Sequence, residues 1–282
     1  MIRQLREVKP AQPTSDGAGV AIQRVAGFKD PAMDPILMLD ELRSEHREDF
    51  AAGFPPHPHR GMQTLTYMKH GGIIHEDNQG NRGEIRGGGA QYMSAGRGII
   101  HSEMPTQDSD GLHGFQLWFN LPAADKMGAP RYRDLARSEL PRISDHGYCL
   151  TAVSGEWQPG NATPVLGPLT ELAPHAALAD VQLGAHSELE VLTAPGETVM
   201  AYIYDGALQF SDKQQAKQRL LVFADGERLS LRGTSEGAGL LILRGRPLRE
   251  PVVHHGPFVM NTQAEIEEAI SDYQAGRFAA EG

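Results

Sequence analysis

Short apolar runs broken by Gly, Asn, Asp or Pro recur along almost the whole chain, a spacing that predicts strands and leaves little room for helices. In the first half the predicted strands are Val20–Val25, Gly61–Met68, Gly72–His75, Ala90–Ser94, Gly98–Glu103 and Gly114–Asn120. The segments Asp77-Asn78-Gln79-Gly80-Asn81 and Arg86-Gly87-Gly88-Gly89 supply the positive-φ positions of turns between them. A polar, Pro-bearing stretch, Pro122–Pro141, follows, and a second series begins: Cys149–Gly155, Ala179–Leu183, Glu188–Thr193, Glu197–Tyr204, Gly206–Phe210, Arg219–Phe223, Arg228–Leu231 and Gly239–Arg244. Turns are expected at Pro195-Gly196, Asp205-Gly206 and Asp225-Gly226. The spacing is that of an all-β sandwich or barrel, and two consecutive β-rich halves, residues 1–140 and 141–282, suggest a duplicated small barrel. Only the end of the chain reads as helix: Thr262-Gln263-Ala264-Glu265 is a capping box, and Ile266, Ala269, Ile270 and Tyr273 form one apolar stripe that should dock on a barrel.

Composition narrows this picture. The 282 residues suggest about two domains, and 32 Gly with 19 Pro make a turn-rich chain that stays below the level of a disordered one. The net charge of −10 disfavours a phosphate-tracking surface, so no direct nucleic-acid contact is expected. A single cysteine, Cys149, excludes an internal disulfide and any Cys-based zinc cluster and fits a reducing compartment. Its Tyr148-Cys149-Leu150 setting reads as a buried small side chain. The opening MIRQLREVKPAQPTSDG lacks the apolar core of a secretory signal, and no stretch approaches the ~18 apolar residues of a membrane helix. A cytoplasmic location without membrane attachment is the expectation.

The candidate chemistry lies in two short arrangements, Pro56-His57-Pro58-His59-Arg60-Gly61 and Gly98-Ile99-Ile100-His101-Ser102-Glu103. Residues two apart on a strand face the same side. His57 and His59 can therefore project together, and so can His101 and Glu103. If the two strands are neighbours, four ligands converge. Three imidazoles and one carboxylate suit a single divalent transition metal, Fe, Mn, Co, Ni, Cu or Zn, with coordination positions left open for substrate or oxygen. The absence of thiolates argues against a closed structural zinc site. The remaining histidines carry plainer readings: His70 and His75 at strand ends or turns, His254 and His255 in inter-domain contacts, His46 and His113 structural. Arg60 is expected to pair with an Asp or Glu.

The run HPHRGMQTLTYMKHGGIIHEDNQGNRGEIRGGGAQYMSAGRGIIHSEMP resembles the signature region of the pirin family, a branch of the cupin superfamily. DPILMLDEL at Asp34–Leu42, GFQLWFNLP at Gly114–Pro122 and GPFVMNT at Gly256–Thr262 extend the likeness over nearly the whole chain. The resemblance implies two tandem cupin (double-stranded β-helix, or jelly-roll) barrels with a short C-terminal helix. It implies one metal, commonly iron, in the first barrel, held at the positions of His57, His59, His101 and Glu103. It also implies a second barrel without ligands, in keeping with isolated His175 and His186. Gln63 stands where many cupins place a ligating Glu; Glu103 supplies the carboxylate instead, and Gln63 becomes either a hydrogen-bonding support for the site or a strand-packing residue. Two functions follow from the family. One is metal-dependent, quercetin 2,3-dioxygenase-type opening of a flavonol-like aromatic substrate by O2, with Glu103 as ligand and candidate base. The other is a non-enzymatic, iron-dependent redox-sensing regulator that binds protein partners.

Overall fold

The structure, a computed structural model, describes residues 1–145, 147–172, 175–210 and 213–278. Its strands begin with β1 (Leu5–Pro10), β2 (Gln12–Asp16), β3 (Val20–Ala26), β4 (Ile36–Ser44), β5 (Phe54–His59), β6 (Met62–His70) and β7 (Gly72–Asp77). They continue with β8 (Arg82–Arg86), β9 (Ala90–Ser94), β10 (Ile99–Pro105), β11 (Leu112–Asn120) and β12 (Arg131–Leu135). The chain divides into two compact units, and these are not the halves on either side of residue 140. One unit comprises Gln12–Asp30, Ile36–Arg137 and Leu248–Gly282; the other comprises Met1–Ala11, Pro31–Pro35 and Ser138–Pro247. A strand is held by the edge it can hydrogen-bond to, and β1 pairs antiparallel with Arg219–Phe223, more than two hundred residues along the sequence.

In the unit that carries the candidate ligands, one sheet has the order β12-β9-β6-β11-β4-β3-β2 and the other the order β5-β10-β7-β8. Alternation decides which side chains meet between them. Val20, Ile22, Leu42, Met68 and Leu112 from the larger sheet pack against Ile73 and Ile85 from the smaller. β5 is an edge strand, where Pro55, Pro56 and Pro58 can be accommodated without breaking a ladder that needs their missing N–H groups.

The C-terminal segment completes this unit. Thr262 caps the helix α1 (Gln263–Gln274) in the expected capping box. Ile266 and Ala269 are buried in a cluster with Phe258, Met260 and Phe278. Arg60, which follows the ligand strand directly, donates from Nη1 to Asp272 on α1 at 3.0 Å and lies over the Phe278 ring. Lys126 is fully buried and its Nζ donates to Asn120 Oδ1 and to the carbonyls of Gly61 and Val259, at 2.6, 2.7 and 3.0 Å.

The other unit is filled by aliphatic side chains, among them Leu150, Val181, Val191, Ile203, Leu231 and Ile242, around Trp157. Two long strands, Thr198–Phe210 and Arg228–Gly245, form its spine. The turn expected at Asp205-Gly206 is instead an irregularity inside the first of them, with register shifts on either side. Gly206 has φ +59° and a Cβ there would come within 2.3 Å of the Gly237 carbonyl, so the glycine bends a strand without ending it. His175 and His186 are exposed and lie outside this core.

Candidate metal centre

β5 and β10 are antiparallel neighbours, with His101 opposite His57 and Ile99 opposite His59. That pairing turns two local i, i+2 patterns into one cluster. Ligand nitrogens of His57, His59 and His101 all lie within 4.8 Å of one another, and the ring centroids are 4.4 to 5.0 Å apart. Among the described residues this is the one group of three or more His, Cys, Asp or Glu placed to hold a metal ion.

The hydrogen bonds behind the rings show which nitrogen each offers. His57 Nδ1 donates to the Pro55 carbonyl at 2.9 Å, and His59 Nδ1 to the Pro257 carbonyl at 3.4 Å. Since a carbonyl only accepts, both rings carry a proton on Nδ1, which in the neutral imidazole leaves the lone pair on Nε2. His101 Nδ1 faces His75 Nδ1 at 3.2 Å, and His101 Nε2 is a buried atom with no hydrogen-bond partner. Buried polar atoms are almost always satisfied, so an orphaned nitrogen among convergent imidazoles is the feature a metal ion would explain. Burial also keeps the His59 and His101 rings neutral. It pushes His59 down to about 3, with the neighbouring His57 adding to the effect, and holds His101 well below the usual histidine range. Neutral imidazole is the ligating form, so the residues fit a metal.

Glu103 is buried on β10 and shares a cavity lining with His57 and His59, but it stands outside the three-imidazole cluster. The register slips between His101 and Glu103. Its carboxylate is held from the opposite sheet: Thr66 on β6 donates to Oε1 at 3.1 Å and Gln116 on β11 donates to Oε2 at 2.9 Å.

The cavity has a volume of about 670 Å³, within the usual range for small-molecule sites. Its walls include Phe28, Met38, Leu42, Phe54 and Trp118. Phe28 stacks on His254 with ring centroids 4.0 Å apart and an interplanar angle of 8°. Besides Glu103, a charged cluster interrupts this apolar lining: Arg24 donates to both oxygens of Asp40 at 2.8 and 2.6 Å, and also pairs with Asp16.

Several plainer sequence readings need revision. His75 lies within β7 and is fully buried, stacked on Tyr132. His254 belongs to the same unit as the cluster, and its ring lines the cavity. Cys149 is half-exposed and accepts from Arg142 at 3.0 Å. Other readings agree with the structure. Arg60 pairs with Asp272, His113 pairs with Glu41, and His70 pairs with Asp110 at an exposed site. Gln63 is buried and donates to the Tyr92 hydroxyl at 2.7 Å. Sequence reasoning missed the Arg24–Asp40 pair and Asp77. A signal for Asp77 was present, since His75-x-Asp77 has the same i, i+2 spacing as the two ligand pairs.

An antiparallel β-unit with three imidazoles gathered together and a second β-unit filled with aliphatic side chains define a protein with two domains of the cupin type. The description "Pirin" matches residues 19–119, and "Pirin C-terminal cupin domain" matches residues 178–279. A Vibrio cholerae protein named "putative quercetin 2,3-dioxygenase" is 46% identical over 277 residues, covering 98% of each chain. A pirin-like protein of Caulobacter vibrioides is 39% identical and covers 98% of this chain and 99% of its own. The crystal structure of a quercetin 2,3-dioxygenase from Acinetobacter baumannii superposes with a TM-score of 0.89 at 27% identity over 99% of both chains. This chain belongs to the pirin family.

Proposed function

We propose that the protein is a metal-dependent dioxygenase that opens a flavonol-like aromatic substrate with O2. In this reading one divalent transition metal, Fe(II) before Mn, Ni, Co, Cu or Zn, is held by His57, His59, His101 and Glu103. The observation that carries the proposal is the unpartnered, buried His101 Nε2 beside two imidazoles whose Nδ1 atoms are already engaged. A bound metal would supply Lewis acidity and a template at which substrate and oxygen meet.

The remaining work falls to the chain. The aromatic wall of Phe28, Trp118 and Phe54 matches a flat polycyclic substrate and excludes water from it. In this reading Glu103, held by Thr66 and Gln116, takes the proton of the substrate hydroxyl onto a carboxylate oxygen. The names carried by the Vibrio and Acinetobacter relatives support the same substrate class. The single cysteine, Cys149, suits a reducing compartment, and the cytoplasm is the location in this reading.

The test is direct. Protein loaded in turn with Fe(II), Mn(II), Ni(II), Co(II), Cu(II) or Zn(II) is mixed with quercetin and related flavonols in air, while the flavonol absorption band and dissolved oxygen are followed. Matched loss of both supports the proposal. No oxygen uptake with any metal on any flavonol overturns it.

A further inference from the structure

His75 and Asp77 do not line the cavity, yet they form a buried polar chain that ends on a candidate ligand. His75 is 1% exposed and the Asp77 side chain is fully buried. Asp77 Oδ1 accepts from the backbone N–H groups of Gln79 and Asn81 at 2.9 and 3.0 Å, and Asn81 Nδ2 donates to Oδ2 at 2.9 Å. A group so surrounded by donors is an acceptor, so the 3.0 Å contact with His75 Nε2 is a bond from the imidazole N–H to the carboxylate. A neutral His75 with its proton on Nε2 has a lone pair on Nδ1. The 3.2 Å contact between the two Nδ1 atoms then runs one way only, from His101 Nδ1–H to His75.

We propose that His75 is a positioning residue for the metal centre: backed by Asp77, it holds His101 in the Nδ1-protonated tautomer and so turns a lone pair on Nε2 toward His57 and His59. Where His57 and His59 use backbone carbonyls for this purpose, His101 uses a carboxylate–imidazole pair. The inference rests on the cluster being a metal centre, but the tautomer itself can be measured without metal.

His75 also packs on Tyr132, with ring centroids 4.5 Å apart, so a purely structural role must be separated from a positioning one. Two substitutions do this. His75→Phe keeps a ring against Tyr132 and removes the acceptor. His75→Asn loses the ring and keeps an oxygen near the place of Nδ1. Long-range 1H–15N correlation on metal-free protein should show His101 protonated on Nδ1 in wild type and in His75→Asn, and not held in that form in His75→Phe. Zinc affinity, measured by chelator competition, should fall about 10- to 100-fold in His75→Phe and by less than about tenfold in His75→Asn. An Nε2-protonated His101 in wild type overturns the proposal, as does wild-type zinc affinity in His75→Phe. Should His75→Phe not fold, the wild-type tautomer and the His75→Asn affinity still decide the question. Absence of one equivalent of zinc from wild type would overturn the metal reading instead, while the tautomer measurement would still judge His75.

Discussion

The Gln116 amide donates to Glu103 Oε2 at 2.9 Å, joining the buried carboxylate of the four-stranded sheet to the seven-stranded sheet opposite. This bond makes the orientation of Glu103 depend on a side chain from another strand. Replacing Gln116 by Leu removes the donor and leaves one carboxylate oxygen unpartnered. Metal affinity is expected to drop about tenfold, the scale seen when a supporting partner of a ligand is lost. Chelator competition on wild type and Gln116→Leu checks this, and equal affinities would separate Glu103 orientation from metal binding.

Lys126 presents a second dependence. Burial lowers its pKa to about 8, yet its three close oxygen partners at 2.6 to 3.0 Å call for three N–H donors, which only the ammonium form has. Lys126→Met would strand two backbone carbonyls and the Asn120 amide in the interior. A loss of about 2–4 kcal/mol is expected from unpaired buried polar groups, read as a shift of the urea midpoint at constant slope.

Gly61 sits between β5 and β6 at φ +78°, and a Cβ there would lie 2.1 Å from the Val259 carbonyl oxygen. Both the backbone conformation and the close approach resist any larger residue. Gly61→Ala should cost roughly 2 kcal/mol or more and displace the Phe258–Met260 strand. Differential scanning calorimetry would register this as a lowered Tm. An unchanged Tm would show that the C-terminal strand can yield without cost.

The buried imidazoles set a pH dependence for metal-free protein. His59 titrates near 6.5 when unfolded and near 3 when folded. Between these values the unfolded chain binds the extra proton, so stability falls as pH falls from about 6.5 toward 3, by up to about 1.4 kcal/mol per pH unit for each such group. Above 6.5 the effect vanishes, because His59 is neutral in both states. Denaturation curves of metal-free wild type and His59→Gln at pH 7 and pH 5 isolate it. The wild type should lose about 2 kcal/mol more than the variant over that interval, and parallel losses would contradict the depressed titration.

Local pattern explains why part of this protein is legible in its sequence. A strand exposes alternate residues to one side, so His57 and His59 could be paired from spacing alone, whereas the irregular register between His101 and Glu103 could not be foreseen. Ala90–Ser94 and Arg219–Phe223 are strands over the expected residues, since both are short apolar runs bounded by turns. The capping box at Thr262 is likewise a contact within four residues. β1, β2 and β4 were not anticipated. β2 is exposed along its length and β4 is buried over most of it, so neither shows the alternation that marks a half-buried strand.

Legible in the chain alone are therefore the candidate imidazoles, the same-side placing of His57 and His59, the all-β class and the capped helix. Each depends on interactions within a few residues. Tertiary structure alone decided that β5 and β10 are neighbours, that Leu248–Gly282 joins the metal-site unit and brings His254 onto Phe28, and that Asp77, His75 and His101 form one chain of hydrogen bonds. These contacts join residues distant in sequence or bonded across strands. They are set by strand pairing and by the need to satisfy buried polar groups, neither of which leaves a local periodic trace in the chain.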